Sequence, residues 1–286
     1  MTSVLGVDFG GTKTALARID AQGVISARVR LPAERTLDAS VDQIVHALDD
    51  AAAVGVIVPG IYTPSTGRAW CPNLWGTDEV PLLDRLQQRL RVPVAIDTDR
   101  AGSVLGESWL GAARGLRDVA FVSISTGIGV GILSNGAVIR GAHGIAGATG
   151  WFALDPDWKD SYGAMGCWEA EAAGPAIARR FGAADAADVV QAARAGDATA
   201  RAVLVRAARY SAMGIANLIS VLNPEAVVLG GGVMQGAGDL MLEPIRAEVR
   251  RWAQPIAASR CRIELTELGE DAGLLGAARL ALAISE

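Results

Sequence analysis

The chain has 286 residues, 51% of them hydrophobic, and a formal net charge of −5. That length suits one large domain or two modest ones, and that apolar content supplies a buried core, which excludes a disordered chain. A mildly acidic chain without a Lys/Arg block excludes a nucleic-acid surface, and no apolar run approaches the roughly 18 residues that span a bilayer. The three cysteines, Cys71, Cys167 and Cys261, lie far apart and match neither a disulfide framework nor a CxxC metal pair, as expected of reduced thiols. The start, MTSVLGVDFGG, has no basic n-region and no long apolar h-region, so a cytoplasmic protein without a membrane partner is expected.

Strand-like and helix-like segments alternate along the chain, which predicts an α/β protein. Val4–Val7 and Ala15–Ile19 flank DFGGTKT and read as a hairpin, continued after the turn Asp20–Gly23. Val41, Ile44, Val45 and Leu48 keep helical spacing, and Val54–Val58 is a short buried strand stopped by Pro59-Gly60. Leu82, Leu83, Leu86 and Leu90 mark another helix, Val94–Ile96 a strand, and 99–110 a helix. The pattern then repeats: strand Val119–Ile124, glycine turn STGIG, strand Val130–Leu133 and turn Ser134-Asn135-Gly136. Later segments read as helices at 167–181, 197–221 and 236–252, strands at Ala226–Leu229 and Ile263–Thr266, and a closing helix at 272–284; the alanine-rich stretch 183–200 keeps helical spacing. Such an internal duplication predicts two related lobes with a cleft between them. The expected division is 1–108, joined by the terminal helix 271–286, and 109–270.

Three glycine clusters each follow a strand: Asp8–Thr14 (DFGGTKT), Ser125–Gly131 (STGIGVG) and Leu229–Val233 (LGGGV). Glycine there lets backbone N–H groups approach phosphate oxygens, and threonine hydroxyls add donors. One such cluster alone is commonly a structural bend. None is a GxxxxGK[ST] loop or a GxGxxG helix opening. In this order and spacing the three resemble the phosphate and adenosine motifs of the actin-like ATPase and sugar-kinase superfamily. Within it the chain resembles the ROK family of sugar kinases and repressors over nearly its whole length, through GVDFGGTKTALARID, PVAIDTDRAGSVLGE, STGIGVGIL, GCWE, GIANLISVLNPEAVVLGGGV and AGLLGAARLAL. The resemblance implies two duplicated actin-like (ribonuclease H-like) lobes and an ATP-dependent carbohydrate kinase with an alcohol acceptor. It implies that Gly10, Gly11, Thr12 and Lys13 meet the β- and γ-phosphates, that Thr126 and Gly127 face them from the other lobe, and that Gly231 and Gly232 lie at the adenosine end. Asp8, at a strand end beside the first turn, is placed to hold Mg²⁺ through water, or else to cap the turn.

Asp97 and Asp99 close the strand of VPVAI, where α/β sites commonly sit. The family's Asn-Asp block, laid on this stretch, places the general base at Asp99 and a following Glu at Glu107; the bland reading of Asp99 is a helix N-cap. Asp97 matches no catalytic position and reads as a supporting carboxylate. On the acceptor side the family's Asn is Thr98, and its GExGH is Gly147-Ala148-Thr149-Gly150-Trp151, so two polar side chains are missing. Glu169 of GCWE stays in register, and the implied substrate set is Glu169, Thr98, Trp151 and Asn73. Trp151 would stack on a less hydroxylated acceptor or fill core space, and Asp155, Asp157 and Asp160 would meet an amino sugar or form a solvated loop. His46 is expected on an exposed face, and His143 in a structural loop.

Family members usually carry three cysteines and a histidine that bind structural zinc; here two of the cysteines are Asp160 and Tyr162 and the histidine is Trp151, leaving Cys167. One thiol cannot complete a tetrahedral site, so no zinc is expected, and Trp151, Trp158, Tyr162 and Trp168 are expected to order the loop by packing. The implied cofactors are ATP and Mg²⁺, the partner a sugar, amino sugar or cyclitol, and the assembly a homodimer. A repressor would need an N-terminal helix-turn-helix that the opening strand does not provide. A polyphosphate donor lacks a basic groove, and a non-catalytic sensor of the same fold is the alternative to the kinase.

Overall fold

The computed structural model describes residues 3–285. The chain forms two compact units: one runs through Arg114 and adds Arg140–Ala146 and the segment from Glu270 onward, and the other holds Gly115–Ile139 and Gly147–Gly269.

The first unit is built on a five-stranded sheet. Its strands are β1 (Ser3–Phe9), β2 (Lys13–Asp20), β3 (Ile25–Pro32), β4 (Val54–Val58) and, after the small hairpin β5 (Ile61–Thr63) and β6 (Arg68–Trp70), β7 (Val94–Thr98). The order is β3-β2-β1-β4-β7, with β1 to β3 antiparallel and β4 and β7 parallel to β1. β4 is buried at all five positions, as a β-branched run covered on both faces must be. Leu5, Val7 and Phe9 of β1 and Val54, Val56 and Val58 of β4 share a core with Val41, Ile44, Leu82 and Leu86 of the helices Leu37–Ala47 and Leu82–Arg89. The opposite face is formed by small residues. A Cβ on Gly6 would lie 2.8 Å from the carbonyl oxygen of Leu274, and one on Gly55 would collide with that of Ala277. The helix Ala272–Leu282 therefore lies directly on the sheet. It also crosses the helix Asp99–Leu110 where Gly276 meets the backbone of Gly102 and Ala272 meets Gly106.

The second unit repeats the plan with β8 (Val119–Ile124), β9 (Ile128–Ser134), β10 (Ala137–Val138), β11 (Ala226–Gly230) and β12 (Arg262–Leu265). Their order is β10-β9-β8-β11-β12, again three antiparallel strands followed by two parallel ones. The expected duplication is thus present strand for strand. The long helices Ala198–Leu222 and Gly232–Trp252 pack here over Val122, Ile124, Val227 and Leu229.

Two helical expectations change. The helix read over 167–181 is two, Cys167–Ala172 and Gly174–Phe181, because Ala173 is extended and Pro175 opens the second. The alanine-rich stretch breaks between Ala186–Arg194 and Ala198–Leu222, where Gly196 takes φ +99° and Asp197 caps the next helix. No helix among the described residues is long and apolar enough to cross a membrane.

Gly276→Ala would drive a methyl into the Gly102 carbonyl, where only backbone can yield. The expected cost is about 3 kcal/mol, read as a fall in Tm by scanning calorimetry; an unchanged Tm would show that this crossing is loose.

Candidate active site

In the first unit, sheet register brings the predicted carboxylates to one edge. β1, β4 and β7 are parallel, Asp8 pairs with Ile57, and Ile57 pairs with Asp97, so the strands deliver Asp8, Asp97 and Asp99 at their carboxyl ends. Thr98 caps the following helix, its hydroxyl accepting the N–H of Ala101 at 3.3 Å. Asp99 is consequently the first helical residue and not the cap. Its Oδ1 accepts the N–H of Arg100 at 2.8 Å, and its Oδ2 carries no hydrogen bond from the described residues. Burial raises the Asp99 carboxyl above the usual carboxylate range, against the opposing pull of Arg100. Asp8 is pushed up to about 7, chiefly by burial and then by the Asp99 carboxylate, with Lys13 acting the other way. Gly273 makes room here, since a Cβ on it would stand 2.8 Å from Asp8 Oδ2.

Asp97 is a different kind of carboxylate. It is 2% exposed; its Oδ2 accepts Nε of Arg140 at 2.8 Å and its Oδ1 the N–H of Thr98 at 2.8 Å. Both of its oxygens are thus engaged. Glu107 is likewise fully buried and accepts the N–H of Ala112 at 2.8 Å. The turn between β1 and β2 is closed by Gly10 N–H to the Lys13 carbonyl at 2.9 Å, while Gly11 faces open space. Thr12 and Lys13 are exposed, and Lys13 Nζ pairs with Glu270 at 3.1 Å. Asn73 stands exposed on the short helix Pro72–Trp75, and its carbonyl accepts Nη1 of Arg35 at 2.7 Å.

In the second unit the structure joins two predicted groups. Glu169 Oε2 accepts the N–H of Ile128 at 2.8 Å, and a Cβ on Gly127 would lie 2.7 Å from that same oxygen. The implied acceptor residue therefore touches the implied phosphate turn, and Gly127 is needed for the approach. Glu169 Oε1 carries no hydrogen bond, and burial raises this carboxyl against the hydrogen bond from Ile128. Beside the turn lies a cavity of about 430 Å³, with Ser125, Thr126, Pro175, Val190 and Gly232 among its lining. Gly231 sits behind it at φ +86° against the backbone of Ile124, a position closed to other residues. The helix Ala186–Arg194, one wall of this cavity, carried no motif to mark it in the sequence.

The loop after β10 departs from expectation. Trp151 is 58% exposed and Trp158 72%, so neither orders the loop by burial, and Trp151 does not fill the core. Trp168 is fully buried and stacks on Phe152 with ring centroids 6.1 Å apart, and Tyr162 is buried beneath Trp158. Tyr162 and Lys159 both reach Glu171, a buried carboxylate that no motif singled out. Asp155 joins this group through Tyr210 at 3.0 Å, while Asp157 and Asp160 are exposed. His143 and His46 are exposed, and the three cysteines are free. Among the described residues no group of three or more His, Cys, Asp or Glu side chains is arranged to hold a metal ion.

The ROK family profile matches residues 4–284. A glucokinase from Halalkalibacterium halodurans is 32% identical across 95% of this chain and 92% of its own, and an N-acetylmannosamine kinase from Shigella flexneri is 33% identical across 98% of each. Among solved structures, a ROK family glucokinase from Streptomyces griseus in complex with glucose and AMPPNP superposes with a TM-score of 0.82 at 31% identity, covering 98% of this chain and 99% of that one. A ROK hexokinase from Thermus thermophilus gives 0.84 at 30% identity, covering 99% and 98%. The chain belongs to the ROK family, and its fold is that of the actin-like ATPases.

Burial, and then the nearby Asp99 carboxylate, push the Cys71 thiol up to about 12. Iodoacetamide at pH 8 should leave Cys71 unmodified in the native protein and alkylate it in denaturant, read by peptide mass; native labelling would contradict this packing around Asp99.

Proposed function

We propose that this ATP-dependent carbohydrate kinase transfers the γ-phosphoryl group of ATP to a hydroxyl of a sugar or sugar-like acceptor, with Asp99 as general base. The observation that carries the reading is the free Oδ2 of Asp99: Thr98 does the capping, so a half-buried carboxylate at the strand edge is left with one oxygen that no described residue engages. Raised basicity in a half-buried carboxylate suits proton acceptance from an alcohol as its oxygen attacks phosphorus and ADP leaves. The relatives' names, glucokinase and N-acetylmannosamine kinase, support a carbohydrate acceptor.

Asp8 and Asp99 press on each other electrostatically, and two such oxygens suit a hard divalent cation held mostly through water. Asp8 would hold Mg²⁺, which when bound offsets charge on the phosphates. Gly10, Gly11, Thr12 and Lys13 in the first unit, and Thr126 and Gly127 in the second, would serve the phosphates. The cavity beside Gly231 and Gly232 would take the nucleoside end, its apolar walls matching a flat base. Glu169 offers its free Oε1 to an acceptor hydroxyl. Trp151 offers an exposed ring face, Thr98 its capping hydroxyl and Asn73 an exposed amide.

Coupled ADP release should be screened over glucose, N-acetylmannosamine, amino sugars and cyclitols. Asp99→Asn is expected to lower acceptor-dependent turnover about 10³-fold with little change in the KM for ATP. Turnover that no acceptor stimulates, or that survives the substitution, overturns the reading. Gly236 offers a second check: it lines the cavity within a helix, and a Cβ there meets nothing. Gly236→Ala should therefore stabilise the fold by about 0.5–1 kcal/mol while raising the KM for ATP. A raised Tm with an unchanged KM would move the nucleotide elsewhere.

A further inference from the structure

Glu171 stands 3% exposed and binds four partners from three segments. Its Oε1 accepts Lys159 Nζ at 2.6 Å and the Tyr162 hydroxyl at 2.8 Å, and its Oε2 accepts Nη2 of Arg180 at 2.7 Å and Nη2 of Arg206 at 3.0 Å. Asp155 Oδ2 extends the group, receiving Lys159 at 3.3 Å and the Tyr210 hydroxyl at 3.0 Å, and Arg206 reaches that hydroxyl at 3.1 Å. Burial would raise the Glu171 carboxyl, yet the hydrogen bonds from Lys159, Tyr162 and Arg206 hold it below the usual range. Three cations thus face two carboxylates around one buried point.

Glu171 shares the six-residue helix Cys167–Ala172 with Glu169, two positions earlier. A helix that short has no stability of its own, and this one has no side-chain cap at its N-terminus and an extended residue, Ala173, at its end. Tertiary contacts alone decide how it lies. Trp168, fully buried against Gly214, sets its depth in the core. Residues two apart point about 200° apart around the axis, so Glu169 meets the Gly127 turn while Glu171 meets the ionic group on the other side. Rotation by a single residue, about 100°, would withdraw Glu169 from Ile128 and cost Glu171 its partners together.

We propose that the Glu171 cluster is a positioning device that sets the rotation of this helix and so holds the Glu169 carboxylate against the Gly127–Ile128 turn, ready for the acceptor. Buried ion groups add little net stability once desolvation is counted, and their best-attested use is to select one arrangement among several. A carboxylate that binds Lys159, Tyr162, Arg180 and Arg206 together has one register in which all four are satisfied. The acceptor role of Glu169 rests on the kinase reading. The positioning itself does not.

The test is amide hydrogen exchange by NMR at Ile128, whose N–H is held by Glu169, with Val228 in the buried strand β11 as reference. In Glu171→Gln the Ile128 amide is expected to exchange about tenfold faster while Val228 stays within about twofold. Tyr162→Phe, which leaves every charge in place, should give a smaller change of the same kind, and Lys159→Arg, which keeps the cation, should retain near-native protection. With glucose and N-acetylmannosamine as probes, both weakened variants should raise the acceptor KM and leave the KM for ATP unchanged. Unchanged exchange at Ile128, or Ile128 and Val228 accelerating together, overturns the positioning role. Faster Ile128 exchange with an unchanged acceptor KM keeps it and removes Glu169 from the acceptor site. Failure of the kinase reading shows separately, as absent turnover in the unmodified protein.

Discussion

Direct backbone packing of the helix Ala272–Leu282 is the constraint on which the first unit depends. Gly6 and Gly55 on the sheet, Gly102 and Gly106 on the helix Asp99–Leu110, and Gly273 and Gly276 on the closing helix remove every Cβ that would hold these elements apart. Interiors packed this closely transmit any added atom as displacement. The consequence is chemical: the seam fixes the helix that begins at Asp99 and leaves, at Gly273, the space that Asp8's carboxylate occupies. The same small residues that economise on volume thereby set Asp8 close enough to Asp99 for the Asp99 carboxylate to raise its proton affinity.

The buried and half-buried acids of this chain divide by what surrounds them. Asp97 is neutralised by Arg140, and Glu171 by Lys159, Arg180 and Arg206. Asp8, Asp99 and Glu169 are half-buried and form no ion pair among the described residues; desolvation outweighs the pull of Lys13 on Asp8 and of Arg100 on Asp99, and each carboxyl is raised in consequence. Acids kept in this unbalanced state are costly unless a ligand completes them, and their clustering at strand ends and beside a glycine turn agrees with a binding site. The matched acids are held by their cations, and the unmatched ones keep an oxygen turned to no described partner.

Much of the fold was legible in the residues. The strand Val54–Val58 and the helix Asp99–Leu110 are where periodicity put them, because each is specified by side chains within its own length. The repeated order of strand, glycine turn and strand led to two sheets of matching topology. The break at Ala173 escaped the periodicity, since the apolar stripe runs straight through it and only Pro175 hints at an interruption. The core-filling reading of Trp151 misled for a related reason: a large aromatic near other aromatics suggests a core, and exposure depends on what stands opposite.

The chain by itself determined its family and its reaction class and singled out Asp99, Glu169 and the glycine turns as candidates, because those follow from local pattern and motif order. Tertiary structure alone decided what each carboxylate is. Whether an acid is paired like Asp97, poised like Asp99 or locked like Glu171 depends on burial and on partners as distant as Arg206, which stands 35 residues from Glu171. Proton affinity follows the field at the carboxyl group, and that field is summed over neighbours in space, so sequence separation does not report it.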